Sequence, residues 1–353
     1  MRIQSFNFVT ISATEKTKSN NGDYLKLTAL LLCLGTLGPA FSQSGAVLTT
    51  AGYSAPPPLQ VAPGQVTTFF FRGIGPLADG HLRNAQAAAV PLPTNLAGLS
   101  LRLAQGQASG VAVPIFAVRQ ESECDNPQEV NATCLLTLVK VQVPFEIAAD
   151  VTPTSPSGPT APVLAPLAQL TLEIDGQSGR PISFQPVPDN AHVLTSCDLS
   201  WDTKYSSVCD RLVYHADGRL VSAAEPAKKG ETIIVYVYGL GKPEGHVPSG
   251  DVSPAGAALG NVPGRVKASF DNLVNIVSSV PRFVRTDILP DFPIAAAGLT
   301  ANQVGLYQLN VPIPSSLEPA VTCGDFNGSI HSNAALYVST SQGTEGLGLC
   351  VQQ

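Results

Sequence analysis

The side chains best suited to acid–base or metal chemistry are five histidines, at His81, His192, His215, His246 and His331. None belongs to an HExxH motif or to a pair spaced H-x₃₋₅-H, the usual spacings of zinc ligands. The chain also has no G-x-S-x-G nucleophile elbow. A Ser/His/acid site assembled from distant loops, with His215 or His246 at its centre, stays open as an alternative. The motifs themselves predict no catalytic residue, no metal site and no cofactor.

The segment Asp325-Phe326-Asn327-Gly328-Ser329 resembles part of a calcium-binding loop. A complete loop also needs a third acidic or amide ligand and a distal glutamate. Because only part of that pattern is present, a β-turn between two strands is the favoured interpretation.

Three aromatic residues are the best candidates for a contact surface: Trp201, Tyr205 and Tyr214. They lie in or beside the segment between Cys197 and Cys209, among several polar residues. Aromatic side chains on a stapled loop are typical of surfaces that bind sugars or proteins. The alternative is that Trp201 covers the end of a β-sandwich or packs on a disulfide. The expected partner is an extracellular protein or a glycan.

Six cysteines follow the leader, and an even number in an exported chain predicts disulfides. Six cysteines allow 15 connectivities, but their clustering favours three local bridges. A metal site is disfavoured because no pair has C-x₂-C spacing. The expected pairs are Cys124–Cys134, Cys197–Cys209 and Cys323–Cys350.

The N-terminal segment has the pattern of a secretory signal peptide. An apolar run over residues 27–38 follows Lys26 and ends at Pro39-Ala40-Phe41-Ser42, a small-x-small site before Gln43. The run is shorter than the roughly 20 residues that a spanning helix needs. Residues 1–42 are therefore predicted to be removed, leaving a secreted or cell-surface chain without a membrane span; a periplasmic location is the alternative.

The composition indicates a globular, strand-rich protein that does not bind nucleic acid. Of 353 residues, 44% are apolar and only 13% are charged, against a usual charged fraction of about 25%. The net charge of −6 and the lack of a basic stripe argue against nucleic acid. This length is sufficient for two domains, each with its own core.

The chain repeats one pattern, which predicts a duplicated domain. Gly64, followed by an apolar strand and Gly73-Ile74-Gly75, returns as Gly230, a similar strand and Gly239-Leu240-Gly241. A second echo relates Val141-Gln142-Val143-Pro144 to Leu309-Asn310-Val311-Pro312. The repeat places one domain at residues 45–179 and the other at residues 180–353. It also assigns the Pro-rich segment at 152–162 to a loop within the first domain.

Short apolar segments between glycines and prolines predict strands, and no segment has helical periodicity over three turns. The fold class expected is all-β, two tandem immunoglobulin-like β-sandwiches. The equivalent strands Leu170–Ile174 and Ala335–Ser339 are expected to follow the long loop. The other strands expected are Val66–Phe71, Leu99–Leu103, Val111–Val118, Leu135–Val143, Ile233–Tyr238, Val266–Phe270 and Leu306–Val311.

Each Gly-x-Gly follows a strand, as the start of a dinucleotide-binding motif would. That motif also needs a third glycine, a helix and a downstream acid, whereas Pro76 and Lys242-Pro243 block helix entry here. The pattern predicts a tight turn, with glycine allowing positive φ and the residue between packing inward.

The repeat resembles an uncharacterised exported C-terminal domain family that is abundant in acidobacterial genomes. The resemblance rests on Ala62-Pro63-Gly64, the turn Gly73-Ile74-Gly75-Pro76, the segments at 217–230 and 305–312, and Tyr238-Gly239-Leu240-Gly241. It implies tandem immunoglobulin-like sandwiches similar to IPT/TIG domains, and it implies no activity or binding residues. Members of that family typically carry the pair at the end of a longer chain.

These observations favour a secreted or cell-surface, non-catalytic protein that acts in adhesion or ligand binding. A carbohydrate-binding accessory module with Trp201 in its platform is one alternative. A hydrolase with a site between the two domains is the other.

Overall fold

The computed structural model describes residues 46–51, 59–106, 109–126, 130–149, 165–199, 212–254, 266–276 and 289–353. The predicted leader at residues 1–42 and the Pro-rich segment at 152–162 lie outside these ranges. The described strands form four sheets. The helices found are single turns, α1 (Ser196–Leu199) and α2 (Asp325–Gly328). The chain is therefore all-β, as its short apolar segments predicted.

The first pair of sheets comes from the N-terminal half of the described chain. One sheet has the order β1-β3-β9-β8-β4, and the other has the order β2-β12-β10-β6-β5, with β11 beside β10 and β7 beside β6. The strands of the first sheet are β1 (Val47–Ala51), β3 (Val66–Arg72), β4 (Ala85–Gln86), β8 (Ile115–Ser122) and β9 (Leu135–Gln142). Those of the second are β2 (Leu59–Val61), β5 (Asn95–Leu96), β6 (Leu99–Gln105), β7 (Val111–Ala112), β10 (Ala168–Ile174), β11 (Gln177–Ser178) and β12 (Ile182–Pro186).

The second pair of sheets comes from the C-terminal half. One has the order β13-β15-β18-β17, with β14 beside β15, and the other has the order β16-β19-β20. The strands of the larger sheet are β13 (His192–Val193), β14 (Val213–His215), β15 (Thr232–Tyr238), β17 (Ala296–Leu299) and β18 (Leu306–Pro312). Those of the smaller sheet are β16 (Lys267–Asp271), β19 (Ala334–Ser339) and β20 (Thr344–Leu349).

Each pair of sheets encloses its own apolar core, so we call the pairs the first and second sandwich. In the first, inward residues of β3 and β9 meet those of β6, β10 and β12, and the ring of Phe69 lies 5.3 Å from that of Phe184. In the second, inward residues of β15 and β18 meet those of β16, β19 and β20. The alternation of buried and half-buried residues along β15 and β18 produces this arrangement, since successive strand residues point to opposite faces.

The two sandwiches share the order of their central strands, as the predicted repeat requires. The order β1-β3-β9-β8 corresponds to β13-β15-β18-β17, and β12-β10-β6 corresponds to β20-β19-β16. Both also contain a parallel contact between equivalent segments. It joins β2 to β12 in the first sandwich and Ala227 to Val351 in the second.

The pairing register corrects the alignment of the second sequence echo. The backbone N–H of Gly64 donates to Val143, and that of its repeat equivalent Gly230 donates to Ile313. Val143 therefore corresponds to Ile313, two residues beyond the Val311 that the sequence echo aligned with it. Proline follows both Val311 and Ile313 in this segment, so sequence similarity alone selected the wrong pair.

One strand prediction and one predicted domain boundary also change. The segment Val111–Val118 is not one strand, because it divides at Pro114 into β7 and β8; proline has no N–H to donate to a ladder. Strand β12 follows the expected domain boundary at Gly179 and pairs with β10 and β2 of the first sandwich. The first sandwich thus extends past that boundary, to at least Pro186.

Both Gly-x-Gly segments form turns in which the central residue packs inward, as predicted. Ile74 and Leu240 are fully buried, and Gly73, Gly239 and Gly241 have positive φ. A side chain at Gly239 would collide with the carbonyl oxygen of Asn190. The glycine is therefore required by both its backbone conformation and the close approach of the segment that leads into β13.

The two sandwiches contact each other through buried polar and apolar groups. Gln65 accepts a hydrogen bond from the Asn190 side chain at 3.3 Å, and Gln142 accepts one from the Gly250 N–H at 2.6 Å. Phe145 follows the last strand of the first sheet but packs in the second core. Gln65 and Gln142 are both fully buried at this contact.

Candidate functional site

Of the three predicted contact residues, the structure describes only Tyr214. Trp201 and Tyr205 lie outside the described residues, so their place in a contact surface stays a prediction. Tyr214 lies on β14 and is half-buried. Its ring makes an edge contact with Tyr236 of β15, with 5.6 Å between the ring centroids.

Tyr214 belongs to the outward side of the larger sheet of the second sandwich, which we call the tyrosine face. The register places Tyr214, Ile234, Asn310 and Ala296 in one row across four strands. The next row contains Tyr236, Gln308 and Gly298. The described outward residues of the face are Tyr214, Thr232, Ile234, Tyr236, Tyr238, Ala296, Gly298, Leu306, Gln308, Asn310 and Pro312.

The polar groups of the tyrosine face are amides and phenols. The amide nitrogen of Gln308 donates to the Oδ1 of Asn310 at 2.7 Å. Each amide still has capacity for further hydrogen bonds, since it carries two donor hydrogens and an acceptor oxygen. Burial, followed by the neighbouring Tyr236, raises the pKa of Tyr214. Tyr214 is therefore a neutral phenol at physiological pH and can donate or accept.

The described outward residues on β14, β15, β17 and β18 of the tyrosine face are uncharged. The charged group on this side is the His192–Asp198 pair at the β13 edge, where His192 is opposite Tyr238. The equivalent face of the first sandwich, which we call the charged face, differs on its equivalent strands. The pairing registers align Arg72 with Tyr238 and Lys140 with Asn310. They likewise align Arg119 with Gly298, and Glu121 with Thr300 just beyond β17. The second sandwich thus replaces four charged positions with neutral residues.

Lys140 of the charged face contacts the second sandwich. Its ammonium donates to the carbonyl oxygen of Asp198 at 3.3 Å and lies 5.9 Å from the centre of the Tyr238 ring. Burial lowers the pKa of Lys140, and the charge of Asp198 partly opposes this. Burial raises the pKa of Tyr238, and Asp198 adds to that rise. This group therefore joins the two sandwiches at the edge of the tyrosine face.

His192 on β13 is held between two carboxylates. Its Nε2 lies 2.9 Å from Asp198 and its Nδ1 lies 3.4 Å from Glu345, which is 1% exposed. Burial alone would lower the pKa of His192, but the hydrogen bonds and charges of Asp198 and Glu345 outweigh burial and raise it. Burial would likewise raise the pKa of Asp198, but His192 and Thr195 lower it to about 2. An imidazole with a carboxylate at each nitrogen is suited to a structural ion pair.

His215 on β14 is also engaged at both nitrogens. Its Nδ1 lies 2.5 Å from Glu231, and its Nε2 lies 3.2 Å from the carbonyl oxygen of Glu225. No serine hydroxyl belongs to this set of contacts among the described residues. A hydrolase centred on His215 would therefore have to break one of these bonds before the ring could accept a proton.

His246 lies in a shallow groove beside the contact between the sandwiches. The groove has about 290 Å³ of open space and is lined by Phe145, Glu146, Lys242, Pro243, Gly245, His246 and Val247. The nearby Ser249 hydroxyl donates to Glu146 at 2.6 Å rather than to His246. The groove thus brings a serine, an acid and a histidine near one another without the nucleophile–base bond of a hydrolase.

Two of the predicted disulfides are formed. Cys124 bonds to Cys134 in the first sandwich, and Cys323 bonds to Cys350 in the second. Cys197 is also disulfide-bonded, and Cys209, its predicted partner, lies outside the described residues.

The segment that resembles a calcium loop is the single turn α2, with Phe326 and Asn327 at positive φ. No cluster of three potential metal ligands is found in the described part of the chain.

Sequence reasoning placed Tyr236, Gln308 and Asn310 in strands but did not identify them as contact residues. The available signal was the alternation along Ile233–Tyr238, which puts Ile234, Tyr236 and Tyr238 on one face. The partner strand was not predictable from that pattern, so the amides beside the tyrosines could not be found.

A scan of the chain against protein-family models finds no match, and a search of curated proteins finds none either. Within the described residues, no helix is long and apolar enough to cross a bilayer.

Proposed function

We propose that this chain is an exported, non-catalytic binding protein of tandem immunoglobulin-like sandwiches, and that the tyrosine face of the second sandwich is its ligand surface. The observation that carries the proposal is the contrast between equivalent faces of the two sandwiches. Surface sheet positions ordinarily carry charged residues, as the charged face does. The tyrosine face instead presents two contacting tyrosines, an isoleucine and two amides. Aromatic residues with few charges are typical of binding surfaces.

Export is supported by the predicted leader and by the two disulfides, which are typical of oxidising compartments. A non-catalytic role is supported by the ring contacts of His192 and His215, which place a partner at each nitrogen. A binding role requires only a rigid surface. The contact of Lys140 with Asp198 and Tyr238 supplies rigidity at the edge of the face.

The test is cosedimentation of the purified mature chain with the insoluble cell-envelope fraction of its own source cells. Tyr236→Ala removes the centre of the tyrosine face. Phe70→Ala is the matched control, because Phe70 occupies the equivalent position on the charged face. We expect Tyr236→Ala to lose most of the sedimenting fraction and Phe70→Ala to keep it. Equal sedimentation of all three proteins would contradict the proposal.

A further inference from the structure

The chemistry of the tyrosine face also indicates the kind of ligand, on the premise that this face is the binding surface proposed above. We propose that the ligand is a neutral polysaccharide. The argument rests on charge, on the shape of the aromatic pair and on the position of the amides.

Charge decides against most other ligands. The outward residues of β14, β15, β17 and β18 contribute no charged side chain. The charged groups nearby, the His192–Asp198 pair and Lys140, lie at one edge beside Tyr238. A polyanion such as nucleic acid or an acidic glycan needs lysine or arginine. A cationic ligand needs carboxylates. A face whose central strands carry neither suits a ligand without net charge.

The aromatic pair suits the face of a sugar ring. Tyr214 and Tyr236 are half-buried and meet at an interplanar angle of 66°. Aromatic rings combine a large apolar contact area with little conformational freedom. A pyranose presents C–H groups on its faces and hydroxyl groups around its edge, so its face can pack on one ring while its edge reaches polar groups nearby.

The amides are placed to meet those hydroxyl groups. Gln308 is directly opposite Tyr236, and Asn310 is directly opposite Ile234. On the far side of these amides the next strand carries only Gly298 and Ala296. The small residues leave room beside the amides for a chain that runs across the sheet. Both amide donors and acceptors match hydroxyl groups, which do both.

The face also predicts how binding responds to salt. Association that depends on charge weakens steeply as salt rises. The affinity of a ligand for a neutral face should change little between about 0.05 and about 0.5 M NaCl.

The experiment is affinity electrophoresis of the mature chain in gels with neutral polysaccharides (a β-glucan, a xylan and a galactomannan) or acidic ones (a polygalacturonate and an alginate). We expect retardation by at least one neutral polymer. Tyr236→Ala should weaken that interaction at least tenfold, equivalent to about 1.4 kcal/mol, and Phe70→Ala should leave it unchanged. Gln308→Ala serves as a second variant, since it retains the aromatic pair, and circular dichroism checks that each variant is folded.

Retardation only by acidic polymers, or by none, would overturn the inference. So would retardation by a neutral polymer that Tyr236→Ala leaves intact. If Tyr236→Ala abolishes envelope binding while no neutral polymer binds, the proposed function stands and only the polysaccharide assignment fails.

Discussion

The two sandwiches have the same strand order but hold their Gly-x-Gly turns in different ways. In the second sandwich, the hydroxyl of buried Tyr307 donates to the carbonyl oxygen of Gly241. The register aligns Tyr307 with Thr137 of the first sandwich, and the Thr137 hydroxyl instead accepts a hydrogen bond from Gln120. There the Gly75 carbonyl accepts from Gln120 and from the guanidinium of Arg83.

Arg83 does more than replace the tyrosine. Its buried guanidinium donates to the carbonyl oxygens of Gly75, Pro76 and Ala97 and forms two hydrogen bonds with Asp175. This one side chain therefore ties the turn after β3 to the hairpins that precede β6 and follow β10. In both sandwiches the carbonyl oxygen of the last turn glycine accepts a hydrogen bond from a side chain. The donor is Tyr307 in the second sandwich and Arg83 with Gln120 in the first.

The largest loss of stability is expected when Arg83 is replaced. Arg83→Met keeps much of the apolar stem but removes every side-chain donor. The part-buried carbonyl oxygens of Pro76 and Ala97 lose their bonds to Arg83, and that of Gly75 keeps only Gln120. We expect the free energy of unfolding of the first sandwich to fall by about 3–5 kcal/mol. Hydrogen exchange resolved by residue should show the loss in the first sandwich. The control is Asp175→Asn, which should cost about 1 kcal/mol because that side chain is 57% exposed; equal losses for both variants would contradict the argument.

The next effect concerns the turn glycines. Gly239→Ala places a side chain at positive φ and against the Asn190 carbonyl oxygen. We expect a loss of about 1–3 kcal/mol. Gly75→Ala, in the equivalent turn of the first sandwich, meets no atom within 4 Å and should change stability little. Denaturant midpoints that rank the two variants in the opposite order would show that the turns are not constrained as described.

Tyr307→Phe isolates the hydrogen bond to Gly241. The ring stays in the core, and only the hydroxyl is lost, so we expect a fall of about 1–2 kcal/mol, below that of Arg83→Met. Exchange of amides in β15 and β18 should speed up while the first sandwich keeps its protection. If Tyr307→Phe lowered the free energy of unfolding as much as Arg83→Met, the Tyr307 hydrogen bond and the Arg83 contacts would stabilise their sandwiches equally.

The smallest effect is pH-dependent and separates the sandwiches again. The folded pKa of His192 lies above its ordinary value of 6.5, so its stabilisation is present below pH 6.5 and is lost as pH rises through the folded pKa. The groups that face it are Asp198, Glu345 and, on the paired strand, Tyr238. Each unit of pKa difference is worth about 1.4 kcal/mol. We expect the second sandwich to be less stable at pH 8.5 than at pH 5.5.

Asp198 acts in the opposite direction at low pH. Its folded pKa of about 2 lies below the ordinary 3.8, so its contribution is present above pH 3.8 and is lost as pH falls through about 2. His192→Gln should flatten the melting temperature of the second sandwich between pH 5.5 and 8.5. A variant at exposed His331 is the control, and an unchanged slope in His192→Gln would assign the pH dependence elsewhere.

Much of the fold followed from local pattern. Val66–Phe71 and Ile233–Tyr238, apolar or aromatic on both faces, predicted the strands observed as β3 and β15. The recurrence of Gly64 as Gly230 indicated the repeat. The division of Val111–Val118 was missed, although Pro114, which removes a ladder donor, was the available signal. The residues of the tyrosine face could not be predicted from the sequence to the same degree. Only Tyr214 was identified, since the aromatic loop beside Cys197 drew attention to it.

The sequence by itself determined what depends on neighbours in the chain: the strand faces, the turn glycines and the local cysteine pairs Cys124–Cys134 and Cys323–Cys350. Only the tertiary structure decided which strands pair and in which register. That register places Gln308 beside Tyr236, Glu345 beside His192 and Arg83 beneath the Gly75 turn. These partners are far apart along the chain, and their meeting depends on the cooperative packing of two cores, which no local pattern encodes.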